Sequence, residues 1–229
     1  TDHLLATDAE VWAIERDRDL CAVLRAELGG RPNLVLHEAD AVRFDYAAAA
    51  ADQATPPAIV GNLPYQLTGP LLFVLLDHHA WTGPWVVMVQ KEVADRLCSP
   101  PGSRAYGGVT AVMSRVRAVT RVCAAPRGCF LPPPRVDSAV IRLEAHPQPR
   151  GDVGDVHGFQ QLVRAAFQQR RKVLSNALTS LAGRDAALRW CAVAGVDPGI
   201  RPERLGPEEF AALQRAREAE GASSDAGAA

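Results

Sequence analysis

Short apolar runs that end on a polar residue, each followed by a stretch of helical periodicity, recur through the first two-thirds of this chain. That alternation confines the fold to an α/β class built on a mostly parallel sheet with crossover helices. Val11-Trp12-Ala13-Ile14 reads as a strand ending at Glu15, and Asp19 to Leu28 reads as a helix stopped by Gly29-Gly30. Asn33 to Glu38 is the next strand, with Asp40 just beyond it. After an alanine-rich stretch and the break at Thr55-Pro56-Pro57, a strand is predicted over 58 to 61 and a helix from Gly69 to His79. Trp85 to Gln90 is a further strand, followed by a helix through Arg96. The breaker-rich segment 99 to 108 reads as a mobile loop. Ala118 to Ala124 and Ser138 to Leu143 form a closing pair of strands, joined through Cys129-Phe130-Leu131-Pro132-Pro133-Pro134.

A Pro- and Gly-rich linker near 146 to 154 then precedes a helical tail. The expected division is therefore a sheet domain over 1–146 and a small all-helical domain over 152–217. Residues 218–229 carry too little apolar mass to pack and are expected to be disordered. Within the tail, Val163, Phe167, Leu174, Leu178 and Leu181 recur at helical spacings and are expected to face a core. On one continuous helix Arg170 and Arg171 flank that stripe while Lys172 points away, so the basic cluster is edge-on to the core.

With 229 residues, 48% of them hydrophobic, the chain has material for one domain plus a smaller one. No uninterrupted apolar stretch approaches the length of a membrane span, and no basic-then-apolar leader is present, so neither a span nor a signal peptide is expected. The five cysteines (Cys21, Cys98, Cys123, Cys129, Cys191) lack paired short spacings, which points to reduced thiols in a cytoplasmic compartment and to no structural zinc site. His78 and His79 are adjacent and diverge on a helix, so no metal site is expected there either. The net charge of −1 hides an uneven distribution. Residues 1 to 90 carry 5 basic and 12 acidic side chains, 91 to 189 carry 16 and 7, and 190 to 229 carry 4 and 7. A basic middle suits phosphate contact, although a solvated face has the same composition.

Gly61-Asn62-Leu63-Pro64-Tyr65 directly follows the apolar run Ala58-Ile59-Val60. Carboxyl ends of strands are where ligands collect in open α/β sheets. Asn62 offers a side-chain carbonyl to an exocyclic amine, and Tyr65 offers a ring for stacking on a base. Pro64 fixes its own φ and biases Leu63 toward an extended conformation, leaving backbone carbonyls as a second acceptor. The tetrapeptide equally suits a plain strand-to-helix turn. Glu15 and Asp40, each just past a strand, have the placement of acids that bind ribose hydroxyls or an adenine amine, with the Ala41 backbone completing the edge; acids there also serve as helix caps. A glycine-rich turn is expected some 20 residues before the Glu15 strand and is not in this chain. The expectation is an N-terminally truncated piece, poorly able to bind a nucleoside cofactor by itself, because the strand beside such a turn lies centrally in the sheet.

Taken together, Ala13-Ile14-Glu15-Arg16-Asp17, Glu38-Ala39-Asp40-Ala41, Gly61 to Tyr65, Val89-Gln90-Lys91-Glu92-Val93-Ala94, Ala105-Tyr106-Gly107, Phe130 to Ser138 and Phe167-Gln168-Gln169-Arg170-Arg171-Lys172 resemble the ribosomal RNA adenine dimethyltransferase family, in its bacterial small-subunit branch. Gly195-Val196-Asp197-Pro198, Arg201-Pro202-Glu203 and Glu209-Phe210 resemble the C-terminal domain of that branch. The resemblance implies a Rossmann-like S-adenosylmethionine-dependent methyltransferase sheet with a small helical domain. It implies dimethylation of the N6 amines of two adjacent adenosines in the 3′-terminal hairpin of small-subunit rRNA, on the immature 30S subunit, by a cytoplasmic monomer with no membrane or metal partner. Carried over, Glu15 is the ribose ligand and Asp40 with Ala41 the cofactor-adenine ligand. Asn62 lies at both cofactor and target; Asn62, Leu63, Pro64 and Tyr65 form the catalytic loop. Tyr65 and Phe130 stack on the target base, and Arg170, Arg171 and Lys172 contact phosphates. Two other readings are a large-subunit adenine methyltransferase of the macrolide-resistance type and a non-catalytic ribosome-assembly factor.

Overall fold

The computed structural model describes residues 1–51, 53–169 and 171–226. The chain divides into two compact units, one built from residues 1–56 and 66–81 and the other from 57–65 and 82–229.

The first unit opens with a single helical turn, α1 (Asp2–Leu5), and then alternates β1 (Val11–Glu15), α2 (Arg18–Leu28), β2 (Leu34–Glu38) and α3 (Tyr46–Ala50); α4 (Thr68–Asp77) joins it later. β1 and β2 form a two-stranded parallel sheet that pairs Val11 with Leu34 and Glu15 with Glu38. Helix α2 starts where it does because the Asp17 carboxylate accepts the Asp19 and Leu20 N–H groups. In α4, Leu71, Leu72, Leu75 and Leu76 are buried, at the i, i+1, i+4, i+5 positions of one broad helical face. A file of rings runs Trp12, His37, Phe44, Tyr46 and His78, with successive centroids 5.2, 5.1, 5.1 and 5.7 Å apart.

The second unit holds β3 (Ile59–Asn62), β4 (Trp85–Gln90), α5 (Lys91–Leu97), α6 (Gly108–Val116), β5 (Arg117–Ala125) and β6 (Ser138–Ala145), then α7 (Val156–Gln168), α8 (Leu174–Ala177), α9 (Thr179–Ala194) and α10 (Pro207–Ala226). Its four-stranded sheet has the order β3-β4-β6-β5, with β3 parallel to β4 and β6 antiparallel to both β4 and β5. Alternation fixes the core: Trp85, Val87 and Val89 of β4 and Ile141 and Leu143 of β6 are fully buried. Arg117 is buried with them, its guanidinium 3.9 Å above the Trp85 ring. Burial lowers its pKa to about 10. The ladder of β5 slips between Arg121 and Cys123, a bulge that leaves Val122 exposed. Helix α9 breaks at Ala182-Gly183, where Gly183 takes φ +82°, and ends on Gly195 at φ +68°.

Among the described residues the six strands form two sheets, and β1 and β3 each pair on one side only. Several local expectations are corrected. The segment 146 to 154 is packed instead of linking freely: the His146 N–H donates to Val116 O (2.9 Å), that of Arg150 to Arg115 O (2.7 Å), and the Arg150 guanidinium grips both Glu208 oxygens (2.6 and 3.1 Å). The compact units accordingly do not divide near residue 150. The loop 99 to 108 is anchored by the fully buried Tyr106 and by a Gly102 N–H bond to Glu203 O (2.7 Å). The tail expected to be disordered from 218 is helical through Ala226, because its acids have partners: Glu218 accepts the Asp155 N–H (2.6 Å), and Glu220 accepts from Arg189 (2.8 Å) and the Trp190 indole (2.5 Å). Residues 227–229 lie outside the described residues.

Candidate functional site

In the first unit, the parallel pairing of β1 and β2 brings Glu15 and Asp40 to the same sheet end. The ladder continues past the strands, with the Ala39 N–H donating to Glu15 O at 2.9 Å. Glu15 is half-buried, and its Oε1 accepts the Asp17 N–H at 2.7 Å. Asp40 Oδ1 accepts the Val42 N–H (2.9 Å), while Oδ2 faces Arg16 Nη1 at 3.4 Å. The Ala41 carbonyl accepts the Tyr46 hydroxyl (3.0 Å), which leaves its N–H as the group that backbone can offer a ligand. Burial, seconded by the Asp40 charge, raises the Tyr46 pKa and keeps that donor protonated. Both acids are thus held in fixed orientations with lone pairs to spare, which is what hydroxyl or amine recognition needs.

In the second unit, Asn62 is the last residue of β3 and pairs in register with Met88. The Leu63 N–H extends that ladder to Met88 O (3.0 Å), and its side chain is 7% exposed. Leu63 is therefore a buried peg, while Asn62 and Pro64 face outward and Tyr65 is half-buried. Among the described residues, neither the Asn62 amide nor the Leu63 carbonyl has a hydrogen-bond partner, so this loop presents two open acceptors. The Tyr65 hydroxyl shares a 2.7 Å hydrogen bond with Ser138 Oγ.

Because β6 is antiparallel to β4, Ser138 at its start pairs with Gln90 at the end of β4. The connection carrying Phe130 therefore reaches the same sheet end as Asn62 and Tyr65. Asp137 closes that connection, its Oδ1 accepting the Arg127 N–H (2.9 Å) and its carbonyl accepting the Lys91 N–H (2.9 Å). Phe130 is half-buried, and Leu131 beside it is 99% exposed. Lys91, the first residue of α5, donates to Asp95 (2.7 Å), which also binds Arg121. Hydrogen bonds from Lys91 and then Arg121 hold the Asp95 carboxyl below the ordinary range. Sequence reasoning missed Asp95, Asp137 and Ser138 as parts of this end of the sheet. Asp137 and Ser138 lay within a quoted motif, but only the fold shows what they hold.

The basic cluster sits differently from its expectation. Helix α7 ends at Gln168, and Arg171 and Lys172 are exposed in the turn before α8, where the Lys172 N–H donates to Gln169 O (2.8 Å). The helix is not continuous here, so no edge-on placement results; Arg170 lies outside the described residues. Leu174 and Leu178 are fully buried and Val163 nearly so, as the stripe required, while Phe167 and Leu181 are half-buried. Among the described residues no group of three or more His, Cys, Asp or Glu is placed to hold a metal ion, and no helix is long and apolar enough to cross a membrane.

A family model described as ribosomal RNA adenine dimethylase matches residues 1–214. The chain belongs to that family. Among curated relatives, "Ribosomal RNA small subunit methyltransferase A" of Anaeromyxobacter sp. (strain K) is 47% identical over 94% of this chain and 78% of its own length. The protein of the same name from Syntrophotalea carbinolica is 42% identical over 93% and 80%. Two solved structures share the fold of this dimethylase. A dimethyladenosine transferase from Plasmodium falciparum superposes with TM-score 0.75 at 24% identity, over 96% of this chain and 86% of that one. The 23S rRNA methyltransferase ErmE superposes with TM-score 0.68 at 22% identity, over 95% and 85%. At these identities the structural likeness concerns the fold, and the family rests on the sequence matches.

Proposed function

We propose that this dimethylase carries the machinery for S-adenosylmethionine-dependent dimethylation of two adjacent adenosine N6 amines in the 3′-terminal hairpin of small-subunit rRNA. Its setting is the immature 30S subunit in the cytoplasm, where it acts as a monomer. The observation that carries the reading is the open acceptor pair of Asn62 and Leu63 at the end of β3, beside the Tyr65 ring. The names of the small-subunit relatives support that choice of substrate, and the basic stretch from 91 to 189 is compatible with an RNA.

The adenine amine is a poor nucleophile because its lone pair is delocalised into the ring. Asn62 Oδ1 and the Leu63 carbonyl accept its two N–H groups, which orients the amine and returns electron density to nitrogen. Pro64 keeps the loop rigid, and Tyr65 and Phe130 hold the unpaired base by stacking, worth roughly 1–3 kcal/mol for each contact. When bound, the cofactor would supply a methyl group on a sulfonium sulfur, which would leave as a neutral thioether; Asn62 and Leu63 would hold the amine nitrogen for that transfer, and the amine proton would pass to water. Glu15 and Asp40 with Ala41 fit the nucleoside portion of that cofactor, since both carboxylates are already oriented by backbone N–H groups and retain lone pairs. Arg170, Arg171 and Lys172 are the proposed phosphate contacts, positioning RNA without reading its sequence.

The test is tritiated methyl transfer to immature small subunits by the chain and its Asn62→Ala variant. The expected result is a loss of turnover of about a hundredfold or more with RNA affinity within about twofold. Retention of methyl transfer by the variant removes the role given to Asn62.

A further inference from the structure

We infer that Ser138 is a positioning residue for methyl transfer: through its hydrogen bond to the Tyr65 hydroxyl it sets the plane of the ring on which the target base stacks. The inference rests on the function proposed above and deepens it. Four observations support it. Ser138 is 1% exposed, so its hydroxyl is shielded from competing water. It is fixed on both sides, pairing with Gln90 of β4 and with Ala125 of β5. Its neighbour Asp137 is held in turn by the Arg127 and Lys91 N–H groups. The phenol it holds, at 2.7 Å, belongs to the residue that follows the acceptor loop and Pro64.

A half-buried tyrosine that stacks on a ligand needs no hydroxyl for the stacking itself; phenylalanine presents the same face. The hydroxyl adds a second fixed point at the far end of the ring: lying on the χ2 axis, it fixes the direction of the ring through χ1, and the preference of a phenol hydrogen bond for the ring plane biases χ2, which is otherwise broad for aromatic side chains. Asn62 and Leu63 fix the amine through the backbone of β3, and Ser138 fixes the ring through β6. The two are registered to each other by β4, which pairs with both strands. The Asp137-Ser138 dipeptide thereby ties the Phe130 connection and the Tyr65 ring to adjacent positions of one strand.

The experiment combines two readouts on the full chain. The first is steady-state methyl transfer to immature small subunits by Ser138→Ala, Tyr65→Phe and the double variant. Each single variant is expected to lower kcat about fivefold, the worth of one hydrogen bond, with KM for RNA little changed. The double variant is expected to be no slower than either single one, since all three lack the same bond. The second readout is fluorine NMR of protein labelled with 3-fluorotyrosine, whose three tyrosines (Tyr46, Tyr65, Tyr106) give separable signals. Ser138→Ala is expected to shift the Tyr65 signal and leave Tyr46 and Tyr106 in place. Additive losses in the double variant, or an unmoved Tyr65 signal, overturn the inference. If the unmodified chain transfers no methyl, as its expected weak hold on the cofactor allows, the fluorine signal decides by itself whether Ser138 orders the ring.

Discussion

Arg117 provides the sharpest test of what holds the second unit together. Its guanidinium is fully buried, and its donors reach neutral oxygens: Nη1 to Gly83 O at 2.8 Å, and Nη2 to Thr82 O at 3.0 Å and Thr82 Oγ1 at 2.9 Å. Arg117→Met keeps much of the stem volume but withdraws those donors. Taking a donor away from a buried acceptor costs about 1–3 kcal/mol, and three carbonyls are affected, those of Gly83, Thr82 and, more weakly at 3.4 Å, Leu143. Loss of the cation over Trp85 adds roughly 1–2 kcal/mol. Against this stands the relief of no longer burying a charge, which amounts to several kcal/mol and opposes the other two terms. We expect the hydrogen bonds and ring contact to win by about 2–4 kcal/mol, a fall in melting temperature of roughly 5–15 °C for a chain of this size. Thermal denaturation followed by circular dichroism measures it, with Arg117→Lys falling between the two. Arg117 pairs with Ala145, seven residues along β6 from Ser138 and so roughly 23 Å from it. Turnover per folded molecule should therefore be unchanged at low temperature. A melting temperature equal to or above that of the parent refutes the reasoning and shows that desolvation of the cation outweighs everything it binds.

Three further outcomes are expected. The Asp155 N–H bond, with help from Gln214 and Arg215, holds the Glu218 carboxyl below its ordinary range against a small opposing effect of burial; its stabilising contribution is complete above the ordinary glutamate range and disappears as pH falls through the lowered folded-state value. Glu218→Gln should flatten the acid limb of a stability-against-pH curve, and an unchanged limb would show the contact to be incidental. Charge reversal at the exposed Arg171 and Lys172 should weaken RNA binding across all sequences and shallow its salt dependence, read from log Kd against log salt; an unchanged slope excludes these two side chains as phosphate contacts. Glu15→Gln should weaken nucleoside-cofactor binding about tenfold by calorimetry, with α2 preserved because Asp17 remains its cap; equal affinity would reduce Glu15 to a ligand of the Asp17 N–H.

What could be read from the sequence was what depends on neighbours in sequence. Strand β4 falls where the apolar run from Trp85 to Val89 put it, and Asn62 ends a strand as its run of Ala58-Ile59-Val60 implied. Helix α6 was not legible, because Val109, Thr110, Val112 and Val116 are β-branched and disfavour helix locally; burial of Thr110, Ala111, Val112, Met113 and Val116 overrides that preference. The helical end of α10 was missed for the opposite reason. Its few apolar residues suggested disorder, while its order comes from Glu218 and Glu220, whose partners lie 63 and about 30 residues away. In the candidate site the acids and the Asn62 loop were visible as strand-end residues. Ser138 was not, since nothing near it in sequence announces a bond to a tyrosine 73 positions earlier.

The antiparallel direction of β6 also sets when the site can exist. Tyr65 and Ser138 are separated by 73 residues, and their bond forms only after β6 has added to β4. At a synthesis rate of about 5–20 residues per second, that interval is roughly 4–15 seconds, during which the acceptor loop has been made without the residue that orders its ring. Closing so long a loop is also entropically costly and cannot precede the sheet that compensates for it. A nascent chain therefore acquires the proposed base-holding geometry at the same time as its core, and under that proposal a molecule that has lost the β4–β6 ladder has lost its aim on the target amine as well.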